Sequence, residues 1–169
     1  MGIDPGVANT GFGVVRVSGA SLTAVDGGVI DVPAGPPLEM RLARIHSELA
    51  KLIAWHEPVA VAIEDLFFGK NVRSAVAVGQ ARGIAMLAAA QHEIPCFDYT
   101  PQAIKMAVCG HGSAAKRQVQ QMVGTLLGLP RPPESDHAAD ALAVAICHAG
   151  YARSNEAAEA ALLSQVSVG

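Results

Sequence analysis

The sequence predicts an α/β fold built on a mixed five-strand sheet, an antiparallel three-strand meander joined by two parallel strands, with helices on both faces. Two observations lead to it. The first two extended stretches are linked by the turn Asp4-Pro5-Gly6, too short to hold a helix, so the strands it joins run antiparallel. From residue 38 onward the hydrophobic period changes, and stretches with apolar residues three and four apart alternate with short unbroken apolar runs, as in helices that cross over between parallel strands. A chain of 169 residues, 51% hydrophobic and 16% charged, has the size and composition of one globular domain and excludes an intrinsically disordered protein.

Gly2-Ile3 begins the first strand, and Gly11-Phe12-Gly13-Val14-Val15-Arg16-Val17 is the second. A turn between them separates this chain from a dinucleotide-binding unit, where a helix follows the first strand. Ser18-Gly19-Ala20-Ser21 turns the chain into a third strand over 22–32, in which Gly27-Gly28 is a candidate bulge. After the loop Pro33-Ala34-Gly35-Pro36-Pro37, the residues Leu38, Leu42, Ile45, Leu49, Leu52 and Ile53 form one helical stripe. The unbroken run Pro58-Val59-Ala60-Val61-Ala62-Ile63 reads as a fourth strand buried on both faces. An alanine-rich helix over 72–91, a strand over 96–99, helices over 102–108 and 114–127, and a last helix from about Asp136 complete the order. Residues 1–150 then form the single domain. Residues 151–169 have weak helical spacing (Ala157, Ala160, Ala161, Leu162) with few anchors, and are expected to be a loosely ordered tail.

The longest uncharged apolar stretches, such as 83–90, are less than half of the ~20 residues that cross a bilayer. An acid as early as Asp4, with no basic segment leading into an apolar one, argues against a secretory signal and for a cytoplasmic protein. Cys96, Cys109 and Cys147 are odd in number and widely spaced, neither a disulfide framework nor a zinc site. Net charge is −3, yet the six basic and two acidic residues of 70–117 leave that stretch at +4 and the rest of the chain at −7. Such an asymmetry can present one basic face to a polyanion, although ordinary solvated helix faces would give the same count.

Asp4 closes the first strand and Glu64 the fourth, each the first acid after an apolar run. If these strands are parallel neighbours, the two carboxylates stand side by side at one sheet edge. Glu134-Ser135-Asp136-His137-Ala138-Ala139-Asp140 opens the last helix, where His137 and Asp140 share a face, as do Asp136 and Asp140. Alanines at 138, 139 and 141 keep that helix slim enough to lie on the sheet and bring its face to Asp4 and Glu64. Converging acids repel one another unless a cation holds them ionised, and oxygen ligands of this kind suit Mg²⁺ or Mn²⁺. Two such ions can drive phosphodiester hydrolysis. Taken singly, each acid has a structural alternative: Asp4 as a turn former, Ser135 or Asp136 as a helix cap. Glu64, after a doubly buried strand, has the least structural purpose.

Phe67 and Phe68 follow Glu64-Asp65-Leu66 in a chain with only seven aromatics. An aromatic beside a catalytic acid can stack on a base freed from pairing, and either ring can equally be a core phenyl. Lys70, Arg73, Lys105, Lys116 and Arg117 are candidates for phosphate contacts. In Gly79-Gln80-Ala81-Arg82-Gly83 two glycines four apart permit close backbone approach, by a twin helix or by the sheet.

The chain resembles the RuvC family of crossover junction endodeoxyribonucleases, in the ribonuclease H-like superfamily. The matching stretches are Gly2-Ile3-Asp4-Pro5-Gly6 with Thr10-Gly11, Ala62-Ile63-Glu64, Gly79-Gln80-Ala81-Arg82-Gly83, Gly112-Ser113-Ala114 with Lys116, and His137-Ala138-Ala139-Asp140-Ala141-Leu142-Ala143. Five motifs in order cover nearly all of 1–150. The resemblance implies a homodimer that cuts four-way Holliday junctions in recombination and repair by symmetric nicks in two strands of like polarity, using divalent metal. It implies that Asp4, Glu64, His137 and Asp140 form the metal site, with two ions, Mg²⁺ or Mn²⁺. It also implies that Phe67 is the junction wedge, that Lys105 and Lys116 are basic positions on DNA, and that Gly79, Arg82 and Gly83 meet the twin helix. His137 stands where many relatives carry Asp, which favours Mn²⁺, and Asp136 is a candidate substitute ligand. A branch-migration partner such as the RuvAB complex is expected by the same resemblance. The rival readings are a ribonuclease H-like nuclease acting on structured RNA, an actin-like or sugar-kinase fold, which the single-domain length disfavours, and a protein that binds junctions without cutting them.

Overall fold

In the computed structural model the described residues are 1–65 and 72–166, with the backbone alone described for 72–74 and 156–166. The elements are β1 (Gly2–Asp4), β2 (Asn9–Ser18), β3 (Ser21–Asp31), α1 (Leu38–His56), β4 (Val61–Glu64), α2 (Val72–Gln91), β5 (Cys96–Tyr99), α3 (Pro101–Cys109), α4 (Lys116–Leu126) and α5 (Asp136–Val166). They build a five-stranded sheet in the order β3-β2-β1-β4-β5. β1, β2 and β3 pair antiparallel, while β4 runs parallel to β1 and to β5. This is the mixed α/β architecture that the meander and the change of period predict.

β4 divides the core between the sheet's two faces. Val61 and Ile63 point into one cluster with Ile3, Ile45, Leu49, Ile53 and Ala85, and Ala62 points into the other with Ile104, Val123, Leu142 and Val144. All three β4 side chains are fully buried. Each large aliphatic side chain so enclosed contributes roughly 1.5–3 kcal/mol, so a strand this short is held by its neighbours' side chains as much as by its ladder. Helix ends follow local chemistry. Thr100 caps α3 by accepting a bond from the Ala103 N–H at 3.2 Å, Pro101 fills the first turn, and Gly110 closes the helix with a φ of 79°.

Two details differ from the sequence reading. The fourth strand begins at Val61 and not at Pro58, because Pro58 has no N–H for the ladder, and Val59 is 91% exposed. The bulge sits at Val25: Val14 pairs with Asp26 and Val15 with Ala24. Gly27 and Gly28 stay in register, and a Cβ at either would press on Leu142 or on the Phe12 ring. α5, expected from about Asp136, runs to Val166, as its run of alanines favours.

What positions the site is the approach of α5 to the sheet. Ala138, Ala139, Ala141, Ala143 and Ala145 are buried. On the strands opposite, a Cβ at Gly2 would collide with the Ala141 carbonyl oxygen, and one at Gly11 with the His137 carbonyl oxygen. Backbone therefore lies on backbone where α5 begins. No helix among the described residues is long and apolar enough to cross a membrane.

Candidate active site

Asp4 is the last residue of β1 and Glu64 the last of β4. The parallel register, Gly2 with Ala62 and Ile3 with Ile63, brings the two acids to adjacent strand ends. The turn after Asp4 is fixed from two sides. Thr10, only 1% exposed, donates its hydroxyl to the Gly6 carbonyl at 2.7 Å and accepts from the Gly6 N–H at 3.4 Å. From α1, Arg41 Nη2 donates to the Val7 carbonyl at 2.7 Å.

α5 brings the other side chains. His137 Nδ1 lies 2.7 Å from Asp4 Oδ2. One turn on, Asp140 meets the Lys116 ammonium at 3.1 Å, and the same ammonium lies 3.3 Å from Asp136. Among the described residues Glu64, between them, has no such partner to hold it ionised: burial first, then the charges of Asp4 and Asp140, push its pKa up to about 7, against the weaker pull of Lys116 and Lys105. Burial also leaves the Asp140 carboxyl above its ordinary value, outweighing the bond from Lys116. Lys116 is shifted upward, since the bonds and charges of Asp140 and Asp136 together outweigh its partial burial. A cleft of about 220 Å³ opens here, lined by Glu64, Ile104, Lys105, Lys116, Val119 and Asp140.

The four sequence-predicted residues thus share one end of the sheet, Asp4 paired with His137 and Asp140 with Lys116 rather than all four closed into a cage. Among the described residues no three His, Cys, Asp or Glu side chains form a ready metal cluster. The donor set still fits a hard divalent cation, with carboxylate oxygens and one imidazole nitrogen, and a buried glutamate kept neutral for want of positive charge. Of the predicted DNA contacts, Lys105 lines the cleft, Lys116 stands among the acids and Arg117 is exposed beside it. Phe67, Phe68 and Lys70 lie outside the described residues, as does the side chain of Arg73.

On α2, Arg82 is held within the chain by Asp98 at 2.6 Å, while a Cβ at Gly83 would meet open space. Sequence reasoning gave no role to Thr10 or Arg41. Thr10 was visible within its motif, whereas nothing local marks Arg41, whose carbonyl partner is 34 residues away.

A mixed sheet in this order, with carboxylates closing two adjacent parallel strands and a helix laid over them, defines a ribonuclease H-like α/β protein. The model of the family described as "Crossover junction endodeoxyribonuclease RuvC" matches residues 1–148, and the chain belongs to that family. It is 52% identical over 149 residues to the "Crossover junction endodeoxyribonuclease RuvC" of Chloroflexus aggregans, covering 88% of this chain and 91% of that one. Its counterpart from Pelotomaculum thermopropionicum is 51% identical over 151 residues, covering 89% and 92%. The structure superposes with a TM-score of 0.87 on "T. thermophilus RuvC in complex with Holliday junction substrate", at 39% identity, covering 91% of this chain and 94% of that one.

Proposed function

We propose that this chain resolves four-way Holliday junctions in recombination and repair, by symmetric metal-dependent hydrolysis of one phosphodiester in each of two strands. The observation that supports this most is the convergence of carboxylates at one sheet edge, where Asp4 and Glu64 close adjacent parallel strands and Asp140 comes to them from α5. Burying acids together without a counter-charge is unfavourable, and a divalent cation relieves it. Asp4, Glu64, His137 and Asp140 would hold Mg²⁺ or Mn²⁺, two ions in each site, whose chemistry there would be to activate a water and stabilise the leaving oxygen. For this Glu64 would have to be ionised, and His137, now bonded to Asp4, would have to be free to serve as a nitrogen donor.

Around that centre, Lys105, Lys116 and Arg117, with Lys70 and Arg73, hold backbone phosphates without reading sequence. Phe67 stacks on a base at the branch point. A twofold-symmetric junction needs two equivalent sites, and a C2 homodimer supplies them. Gly79 and Gly83 on α2 are suited to a twin helix, and exposed Val76, Met86 and Leu87 on the same helix give it apolar surface to bury; Arg82 orients this face through Asp98. The nuclease domain spans 1–150, and the protein works in the cytoplasm with a branch-migration motor of the RuvAB type.

The test is a synthetic four-way junction with Mg²⁺ or Mn²⁺. The parent gives paired nicks in strands of like polarity, and Asp4→Asn binds the junction without cutting it. An intact junction after incubation of the parent with either metal would refute the proposal.

A further inference from the structure

Lys116 occupies a position that the metal site makes contradictory. Its ammonium lies 3.1 Å from Asp140 and 3.3 Å from Asp136, so it already supplies Asp140 with the positive charge that a divalent ion would bring. Ammonium and ion therefore compete for one carboxylate. Lys116 is also the first residue of α4, the helix end where a cation is disfavoured, so its place depends on the two acids facing it from α5. Those acids are not equivalent. Asp140 is 28% exposed and belongs to the proposed metal site, while Asp136 is 59% exposed and stands outside that set.

We propose, resting on the metal-nuclease reading above, that Asp136 is a positioning residue which draws the Lys116 ammonium off Asp140 when a divalent ion enters. With Asp136 present, Lys116 exchanges two carboxylates for one and stays at the mouth of the cleft, where a backbone phosphate would meet it. With Asp136 gone, the ammonium has Asp140 alone and opposes the ion. Asp136 acts on the metal through Lys116, and differs in this from a direct ligand.

The experiment is a Mn²⁺ titration by calorimetry, without DNA and at fixed pH, on the parent, Asp136→Asn, Lys116→Met, the double variant and Asp136→Glu. Both positions are more than half exposed, and thermal unfolding checks that each variant keeps the parent fold. Asp136→Asn is expected to weaken Mn²⁺ binding about three- to tenfold in the parent and less than about twofold in the Lys116→Met background. Lys116→Met alone tightens binding, and Asp136→Glu keeps the parent affinity. An equal loss in both backgrounds would make Asp136 a ligand or a plain field effect, and overturns the proposal, as does no loss in either. A parent chain that binds no Mn²⁺ overturns the metal-nuclease reading as well, which separates the two failures.

Discussion

Glu64 is where the cost of the site can be read from one residue. Its carboxyl titrates near pH 7 in the folded chain, against 4.5 for an ordinary glutamate. Between those values the folded chain keeps a proton that the unfolded chain has released, so stability falls as pH rises through this window and levels off above about 7. At about 1.4 kcal/mol for each tenfold change in acidity, the full effect is about 3.5 kcal/mol. Glu64→Gln should therefore stabilise the metal-free protein by roughly 1–3 kcal/mol at pH 8 and hardly at all at pH 4, while abolishing nicking. Thermal unfolding in chelator at the two pH values checks this, and equal stabilities of variant and parent at pH 8 would rule it out. Thr10 makes the opposite case, a polar group wholly buried and fully used. Replacing it with Val leaves the Gly6 carbonyl and N–H without their partner, and should cost about 1–3 kcal/mol in chemical unfolding.

At the scale of elements, the junction of α5 with β1 and β2 converts strand ends into a site. Gly11 lies directly beneath the His137 carbonyl. Gly11→Ala should lift the first turn of α5 and draw His137 away from Asp4, at roughly 1–3 kcal/mol of stability. Nicking should fall more than Gly27→Ala causes, since that Cβ meets only side-chain atoms of Leu142, the nearest at 3.3 Å. Comparable activities in the two variants would disconnect helix seating from the site. The element order was legible because period and turn residues are local signals: the Asp4-Pro5-Gly6 turn imposes the antiparallel start, and the 38–53 stripe places α1. The bulge was misplaced by two residues because Gly27-Gly28 suggests backbone irregularity, when those positions answer to Leu142 and Phe12 packing across the sheet. Asp4 and Glu64 could be placed together from sequence, since strand ends in a parallel pair align. The engagement of Lys116 with Asp136 and Asp140 could not, because it depends on how α4 meets α5, and no local spacing encodes that.

For the whole molecule, the question is how a chain with a net charge of −3 holds a polyanion. The acids of the proposed metal site would repel DNA phosphates if they stood alone, and they do not: Lys105 and Lys116 line the same cleft as Glu64 and Asp140, with Arg117 next along α4. Cations thus stand among the acids at the edge where strands would be cut. Divalent ions at the site would add to the positive charge of these side chains. If three to five of the proposed cations on each protomer neutralise a phosphate, the logarithm of junction affinity falls with the logarithm of salt at a slope of about 0.9 per contact. Lys105→Ala and Arg117→Ala should each lower that slope by about one contact per protomer, while leaving any preference among cleavage sequences unchanged, since phosphates carry no base identity. Fluorescence anisotropy of a labelled junction from 50 to 200 mM salt measures the slope. A flat dependence in the parent would mean that the basic stretch between 70 and 117 does not face the DNA, and the strands would have to be held by some other surface.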